Sequence, residues 1–517
     1  MEGDPTHRGM ITVSLMLATV MQALDTTIAN VALPHIQGAL SATQEQAAWI
    51  LTSYIVASAI MTAPTGILAS RLGRKRIFLI AIIGFTVSSA LCGLAQNLSE
   101  MVLFRVAQGV FGAALVPISQ AVLLDINPTE RHGQAMALWG VGVMLGPILG
   151  PTLGGYLTEY FSWRWVFYIN VPVGIAAALG VGAFLHETPI NRSRRFDFIG
   201  FAFLSIAIGA AQLVLDRGQL LDWFSSWEII IECTVAGLCF YLFIVHILTT
   251  EHPFLEPHLF LDRNYAAALV LIFCFGMLIL ANMALTPPFL QSLMDYPVLT
   301  AGLVMAPRGA GTMVSMFIVG RLLGKIDGRL LIVFGLAMVA ISLYEMTGFT
   351  GDMPIWPLIH TGIVQGFGLG FVFIPLSTLA FTTLPAAYRN EGTSMMSLMR
   401  NIGSSIGISI VMTLLARNAQ ISHADLAANI LPFGNAPVIL DRATEALAGT
   451  GAGGAMNILN AEVTKQALTI AYLDDFKLMM WMVFLLLPLV ALLKSQKKAE
   501  IEKIEAETPE EMYAAAE

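Results

Sequence analysis

Charge is what this 517-residue sequence has least of: Asp, Glu, Lys and Arg together make up 12% of it. A soluble domain carries about 25%, so the composition excludes an ordinary water-soluble globule. Hydrophobic residues reach 56%, the mean hydropathy is +0.74, and the apolar runs are long enough to cross a bilayer. Cysteine is scarce too. Cys92, Cys233, Cys239 and Cys274 all lie inside apolar runs, so neither a disulfide framework nor a metal site is expected. The nine histidines are scattered, and His252 and His258 sit in a polar stretch without metal-ligand companions. There is no P-loop, so ATP is not expected to drive the protein directly. Nothing resembles a nucleophile–base pair, and an enzyme is not expected. Met1–Gly9 is short and polar, unlike a cleavable signal. Much of the net charge of −8 comes from the acidic tail Glu500 to Glu517, so it says little about partners; nothing suggests nucleic acid.

What is present reads as an all-α polytopic membrane protein. Fourteen spans are predicted, at about 10–33, 47–70, 77–95, 100–124, 134–157, 165–185, 198–215, 228–250, 265–290, 299–323, 330–347, 355–383, 394–416 and 475–493. Arg71, Arg74, Lys75 and Arg76 follow span 2, Arg192, Arg194 and Arg195 follow span 6, and Lys494, Lys497 and Lys498 follow span 14. The loops after spans 1, 3, 9 and 11 contain no Lys or Arg. Both termini are therefore expected in the cytoplasm. Short motifs recur: Gln108-Gly109 with Pro117-Ile118-Ser119, then Gln365-Gly366 with Pro375-Leu376-Ser377. Two related six-helix halves produce such a pattern. The predicted organisation is a first bundle over 1–185, two inserted helices with linkers over 186–263, a second bundle over 264–495 and a tail over 496–517. A long outer loop is expected over 417–474.

Function is expected to centre on Asp25, the one charge in the first span. A carboxylate at that depth costs roughly 2.5–3.5 kcal/mol on insertion scales. At about 100° per residue, Gln22, Asp25, Thr26 and Asn30 share an arc of about 140°, a polar stripe facing a cavity. Arg105 in span 4 falls at a matching depth, with Gln108 on its face, so Asp25 and Arg105 are predicted to share one cavity and a coupled titration. Span 5 carries Gly142, Gly146, Gly150 and Gly154 at spacing four, beside Pro147 and Pro151. Such a ridge admits another helix to backbone contact and marks where two halves would seal or rock. Gly66 to Arg76 forms a tight basic turn, with Gly66, Ser70, Arg71, Gly73 and Arg74 as its motif positions. Trp163 to Pro172 suits an interfacial aromatic belt. The substrate cavity is assigned to Gln22, Thr26, Asn30 and Gln108 together with two further embedded polar groups, Gln365 in span 12 and Arg308 in span 10, the last without an evident partner.

Several of these stretches resemble one family. Leu24-Asp25-Thr26-Thr27-Ile28-Ala29-Asn30-Val31-Ala32-Leu33-Pro34 is similar to the first-helix signature of the fourteen-span drug–proton antiporters of the major facilitator superfamily. Arg105-x-x-Gln108-Gly109 resembles the superfamily's span 4 motif, and Gly146-x-x-x-Gly150-Pro151-x-x-Gly154-Gly155 its antiporter motif. Leu215-Asp216-Arg217-Gly218 followed by Asp222-Trp223-Phe224-Ser225-Ser226 is similar to the EmrB subgroup of the EmrB/QacA-like branch. Ser70 departs from the pattern, which usually has an acid there. The resemblance implies multidrug export powered by inward proton flow across a bacterial inner membrane, with protons as coupling ion and no cofactor. It also implies a periplasmic adaptor of the EmrA type and an outer-membrane channel. Proton coupling is expected in the first half, because Gly362 stands near the second-half position of Arg105. Two other readings stay open at this stage: a dedicated exporter of one metabolite, such as a siderophore or an amino acid, and a non-transporting sensor or scaffold.

Overall fold

The computed structural model describes residues 7–128, 131–188, 196–250, 253, 255–385, 388–429 and 451–494. Apart from turns and one isolated bridge between Leu323 and Ile326, they are helical. Fourteen long rods are formed. These are α1 (Arg8–Ala39), α2 (Gln44–Thr62, continuing as Thr65–Leu72), α3 (Arg74–Leu94), α4 (Leu98–Gly112, continuing as Leu115–Ile126) and α5 (His132–Tyr160). Next come α6 (Trp165–Tyr168, continuing as Asn170–Phe184), α7 (Phe198–Arg217), α8 (Trp227–Thr249), α9 (Arg263–Pro288) and α10 (Val298–Leu322). The last are α11 (Gly328–Met346), α12 (Ile355–Leu379), α13 (Arg389–Asn429) and α14 (Gly451–Val490).

Among the described residues, twelve helices are long and apolar enough to span a bilayer, and α2 makes a thirteenth although its two parts are bent by 54°. The bend falls at Ala63-Pro64, where proline removes an intrahelical donor. The fourteenth rod, α14, differs in carrying Asp474, Asp475 and Lys477 at the start of its most apolar run. Short polar residues start the rods. Thr43 makes a capping box with Gln46, Asn97 accepts from the Glu100 amide at 2.9 Å, and Asp197, Asp262 and Asp327 accept from the first amides of α7, α9 and α11.

Packing follows two halves. In the first, α1 lies against α5 and α6, α2 against α4, and α3 against α4 and α6. In the second, α9 and α14 pack on α13, and α10 and α11 on α12. The contact of α5 with α10 joins them. The inserted pair α7–α8 leans on α2 through α7. Of the apolar window of α12 78% is buried, of that of α8 17%, so α12 is central and α8 peripheral. The end of the bundle holding Arg71 to Arg76 and Lys325 to Arg329 is called the basic end below.

One expectation changes. The segment expected as a long loop over 417–474 is helix up to Asn429 and again from Gly451, because α13 and α14 run on past the apolar core. His423 and Asn460 meet across these extensions at 3.1 Å. Residues 430–450, the start of the glycine run at Thr450, and the tail 496–517 lie outside the described residues.

Candidate functional site

The first half encloses a polar cluster built around α1. Asp25 Oδ2 accepts from Arg105 Nη1 of α4 at 2.8 Å. Its Oδ1 accepts from Gln108 Nε2 at 2.8 Å and from Asn170 Nδ2 of α6 at 2.9 Å. Arg105 also donates to Gln108 Oε1 at 2.7 Å and, through Nε, to the Ile50 carbonyl of α2 at 3.1 Å. Its guanidinium lies 4.3 Å from the Tyr54 ring centre and 5.7 Å from that of Phe167, within cation–π range. Ser89 of α3 accepts from Asn170 and donates to the Phe167 carbonyl. Exposure is 0% for Asp25 and Gln108, 1% for Arg105 and 2% for Asn170. A buried ion pair is tolerated only when its remaining lone pairs and protons are also satisfied, and here five helices supply the partners.

This meets the expectation that Asp25 and Arg105 lie together, and differs in where. They were placed in a shared cavity, but they form a dry cluster inside the first half. Asp25 sits at one edge of the polar arc of α1, and that edge turns inward against α4 and α6. The other residues of the arc separate from it. Gln22 is half-buried and donates to the Tyr54 hydroxyl at 3.2 Å, Thr26 is half-buried and bonded to its own helix, and Asn30 is exposed. Of these three, only Asn30, farthest from the basic end, is exposed. Gln108, assigned to the substrate cavity with them, belongs to the buried cluster instead.

The second half repeats the arrangement with its charges altered. Gln108 and Gln365, Gly109 and Gly366, and Asp25 and Asn282 are each 257 residues apart. Gly109 lets α4 approach the Tyr54 carbonyl of α2, and Gly366 lets α12 approach the Arg308 carbonyl of α10, so a Cβ at either would overlap backbone. Asn282 stands where Asp25 does, and it accepts from Arg308 Nη1 at 2.7 Å. Gly362 occupies the place of Arg105, and a Cβ there would lie 3.5 Å from the Arg308 Cβ. Arg308, Asn282, Gln365 and Thr361 line a cavity of about 30 Å³, room for roughly two waters. Among the described residues no carboxylate pairs with Arg308. The carboxylate–guanidinium pair of the first half is an amide–guanidinium pair in the second.

The glycines of α5 serve a different contact from the one expected. Gly142, Gly146, Gly150 and Gly154 face α1, within the first half. A Cβ at Gly146 would lie 2.3 Å from the Ala23 carbonyl, and one at Gly150 2.1 Å from Thr27 Oγ1. The ridge therefore sets α1, with Asp25, against α5; Thr27 donates to the Gly146 carbonyl at 3.0 Å. Gly155 faces open space. The seal to the second half uses the adjacent face, where Gly133, Gly140 and Ile148 meet Leu323, Met316 and Gly309 of α10 or its turn. The side chains of Pro147 and Pro151 lie outside the described residues.

At the basic end the halves are tied together. Asp125 at the end of α4 accepts from Arg74 of α3 and, at 2.7 Å, from Arg389 of α13. Asn390 donates to Ser70 Oγ at 3.4 Å, and a Cβ at Gly66 would fall 2.7 Å from the Glu391 Cα. Gly73 has φ +95°, where a side chain is strained. It leaves room for Glu187, which accepts from the Lys75 and Arg76 amides and caps α3. Arg71 is half-buried at the rim.

Sequence reasoning missed Asn170, Ser89, Tyr54, Asn282, Asp125 and Arg389. The stretch from Trp163 to Pro172 was read as an interfacial belt, which suits the half-exposed Trp165. Its inner residues Phe167 and Asn170 complete the Asp25 cluster. The spacing of Asp25 and Asn282 within the repeat was a usable signal.

The comparisons with known proteins agree with this architecture. Residues 15–408 match the sequence profile described as the Major Facilitator Superfamily. The chain is 36% identical over 478 residues to a probable multidrug resistance protein, EmrY, of Escherichia coli strain K12, covering 90% of this chain and 92% of the relative. It is 37% identical over 431 residues to the multidrug export protein EmrB of the same strain, covering 82% and 83%. Among solved structures, the proton:xylose symporter XylE aligns with a TM-score of 0.60 at 12% identity, covering 95% of this chain and 99% of that one. That last likeness speaks for the fold alone.

Proposed function

The chain belongs to the Major Facilitator Superfamily, in its EmrB-like drug:proton antiporter branch, and on that premise we propose that it exports hydrophobic compounds of varied structure in exchange for protons, with Asp25 and Arg105 as the coupling pair. It is a multi-pass membrane protein and a transporter, not an enzyme. The observation that carries the coupling assignment is the position of Asp25. One edge of α1 buries this carboxylate among Arg105, Gln108 and Asn170, while the adjoining edge carries the half-buried Gln22 and Thr26 and the exposed Asn30. A movement of α1 along the glycine ridge of α5 therefore acts on both edges at once.

The proposed cycle uses this linkage. With the basic end facing the cytoplasm, as the charge distribution supports, the ties at Asp125 close the conformation described on its inward side. Opening the inward side requires Arg74 and Arg389 to release Asp125. Separation of Arg105 from Asp25 leaves a buried uncompensated carboxylate, which costs about 3–5 kcal/mol. A proton taken up by Asp25 removes that cost, so proton binding favours the conformation in which the pair is parted. Substrate in the central cavity favours the other. Apolar walls with few polar groups support loose specificity. The reading places the protein in a bacterial inner membrane with both termini cytoplasmic. It also assigns the helical extensions of α13 and α14 to the outer side, where they are suited to receive a periplasmic adaptor leading to an outer-membrane channel. Deleting residues 430–460, which takes the first turns of α14 with it, should abolish co-purification of an EmrA-type adaptor; undiminished co-purification refutes that docking site.

The central test is transport of a fluorescent hydrophobic cation in everted vesicles energised by respiration, comparing wild type with Asp25→Asn at equal expression. Transport by wild type that an uncoupler abolishes, and that the variant lacks, is the expected result. A variant that matches wild type places coupling elsewhere.

A further inference from the structure

We propose that Asp475 of α14 is a second proton-carrying carboxyl group, which holds its proton in the conformation described here; the proposal rests on the antiport reading above. The side chain is 1% exposed, and neither carboxyl oxygen has a hydrogen-bond partner. Asp25 offers the contrast, with three donors on its two oxygens. On α14, Asp475 takes an inward position between Tyr472 and Met479, both buried, while its neighbours Asp474 and Lys477 are exposed. Aromatic rings surround the site: Tyr472 and Phe476 lie 5.3 and 6.2 Å from Phe289, and Phe476 lies 6.2 Å from Phe349.

The helices packed against α14 bring no countercharge to Asp475 among the described residues. On α11 the ionisable groups toward this end are Tyr344, 67% exposed, and Glu345, which bonds to His360 at 3.1 Å. On α13 they are Arg417, which is exposed, and the half-buried Arg400 further along. Beyond the Cys274 thiol, α9 and the turn after it bring toward this end Asp295, whose partner is Lys465 at 4.0 Å, and the phenol of Tyr296. None of these bonds to Asp475. An ionised carboxylate left unpaired in such surroundings costs far more than a neutral acid, and groups so placed neutralise instead.

The same surroundings point to a route for release. Phe476, the next residue, lines the cavity that holds Arg308, Asn282 and Gln365. Arg308 has an amide rather than an acid for its partner, so its charge is uncommitted. A rearrangement of α14 against α10 that brings Arg308 toward Asp475 lets the carboxyl give up its proton, as Arg105 is proposed to do with Asp25. The proton enters by forming an O–H bond on the carboxylate and leaves by breaking it, with no other reactant. Each half then carries one acid and one arginine, and two protons move per cycle.

The test uses the full-length protein in liposomes at neutral pH, read by infrared spectroscopy. Wild type should show the carbonyl stretch of a protonated, weakly hydrogen-bonded carboxylic acid. Asp475→Asn should remove that band, Asp475→Glu should shift it, and Asp25→Asn should leave it. Absence of the band in wild type, or its persistence in Asp475→Asn, overturns the proposal. The two Asp475 variants between them cover a failure of either to fold. In the same vesicles, with ethidium as the probe and a proton gradient of one pH unit, the ethidium gradient reached by Asp475→Asn should be about tenfold smaller than in wild type. Equal gradients also overturn the proposal. A wild type that ignores the proton gradient refutes the antiport reading instead, and the infrared result still decides the protonation of Asp475.

Discussion

Replacing Arg105 by methionine isolates what holds the Asp25 cluster together. The side chain is 1% exposed, contacts Asp25 at 2.8 Å, and also serves Gln108 and the Ile50 carbonyl. Methionine fills comparable length with no charge, so Asp25 keeps Gln108 and Asn170 as donors and loses its countercharge. Two unit charges about 4 Å apart attract by roughly 4 kcal/mol at an effective dielectric constant near 20, and removing one partner of a buried pair costs about 3–5 kcal/mol. Most of that cost is the stranded carboxylate rather than a lost contact. The double variant Asp25→Asn with Arg105→Met therefore has no buried charge left, and it should be more stable than Arg105→Met alone by about 2–3 kcal/mol. Thermal unfolding of the purified protein in detergent at pH 8, followed by tryptophan fluorescence, gives the order. Wild type should melt highest, the double variant next and Arg105→Met lowest, with no proton-driven transport in either variant. A double variant that melts below both single ones refutes the reasoning, because the two side chains would then be contributing independently.

Other outcomes follow from the same contacts. Gly146→Ala sets a Cβ 2.3 Å from the Ala23 backbone and should lower stability by about 1–3 kcal/mol, whereas Gly155→Ala, facing open space, should leave the melting temperature unchanged; equal effects would remove the α1–α5 ridge from the account. Asp125→Asn should cost under about 1 kcal/mol in stability, since the carboxylate is 30% exposed, yet it should loosen the basic end, so that disulfide formation between cysteines placed at Ser70 and Asn390 falls; an unchanged yield would show that the halves are held there by something else. Asn282→Asp gives Arg308 a carboxylate in the geometry of the first half and should raise the melting temperature, because the existing bond to Arg308 gains a countercharge; a fall in melting temperature would mean that the second-half cavity cannot accommodate the charge.

How much of this was legible in the sequence differs from residue to residue. Asp25 announced itself because a single acid in an apolar run is costly wherever the helix is placed, and Arg105 because its depth could be counted along span 4. Asn170 could not be found that way. It is 145 residues from Asp25, and the residues around it read equally well as an interfacial belt. The α5 glycines were recognised as a contact surface, but spacing cannot say which helix fills it. Asp475 was passed over because it stands beside Asp474 and Lys477, where a charged group normally marks the end of a span.

Residue pattern alone specified the fourteen helices and, except where α13 and α14 run on past the apolar core, their approximate ends, because apolar run length and capping residues act locally and a bilayer admits few other folds. It also determined that Asp25 requires a partner. Helix packing settled which edge of α1 turned inward, that Asn282 stands as the neutral counterpart of Asp25, and that Asp25 is surrounded by donors while Asp475 has none. Those outcomes depend on how helices far apart in the chain rotate against one another, and that is set by the packing of whole faces rather than by any short stretch of residues.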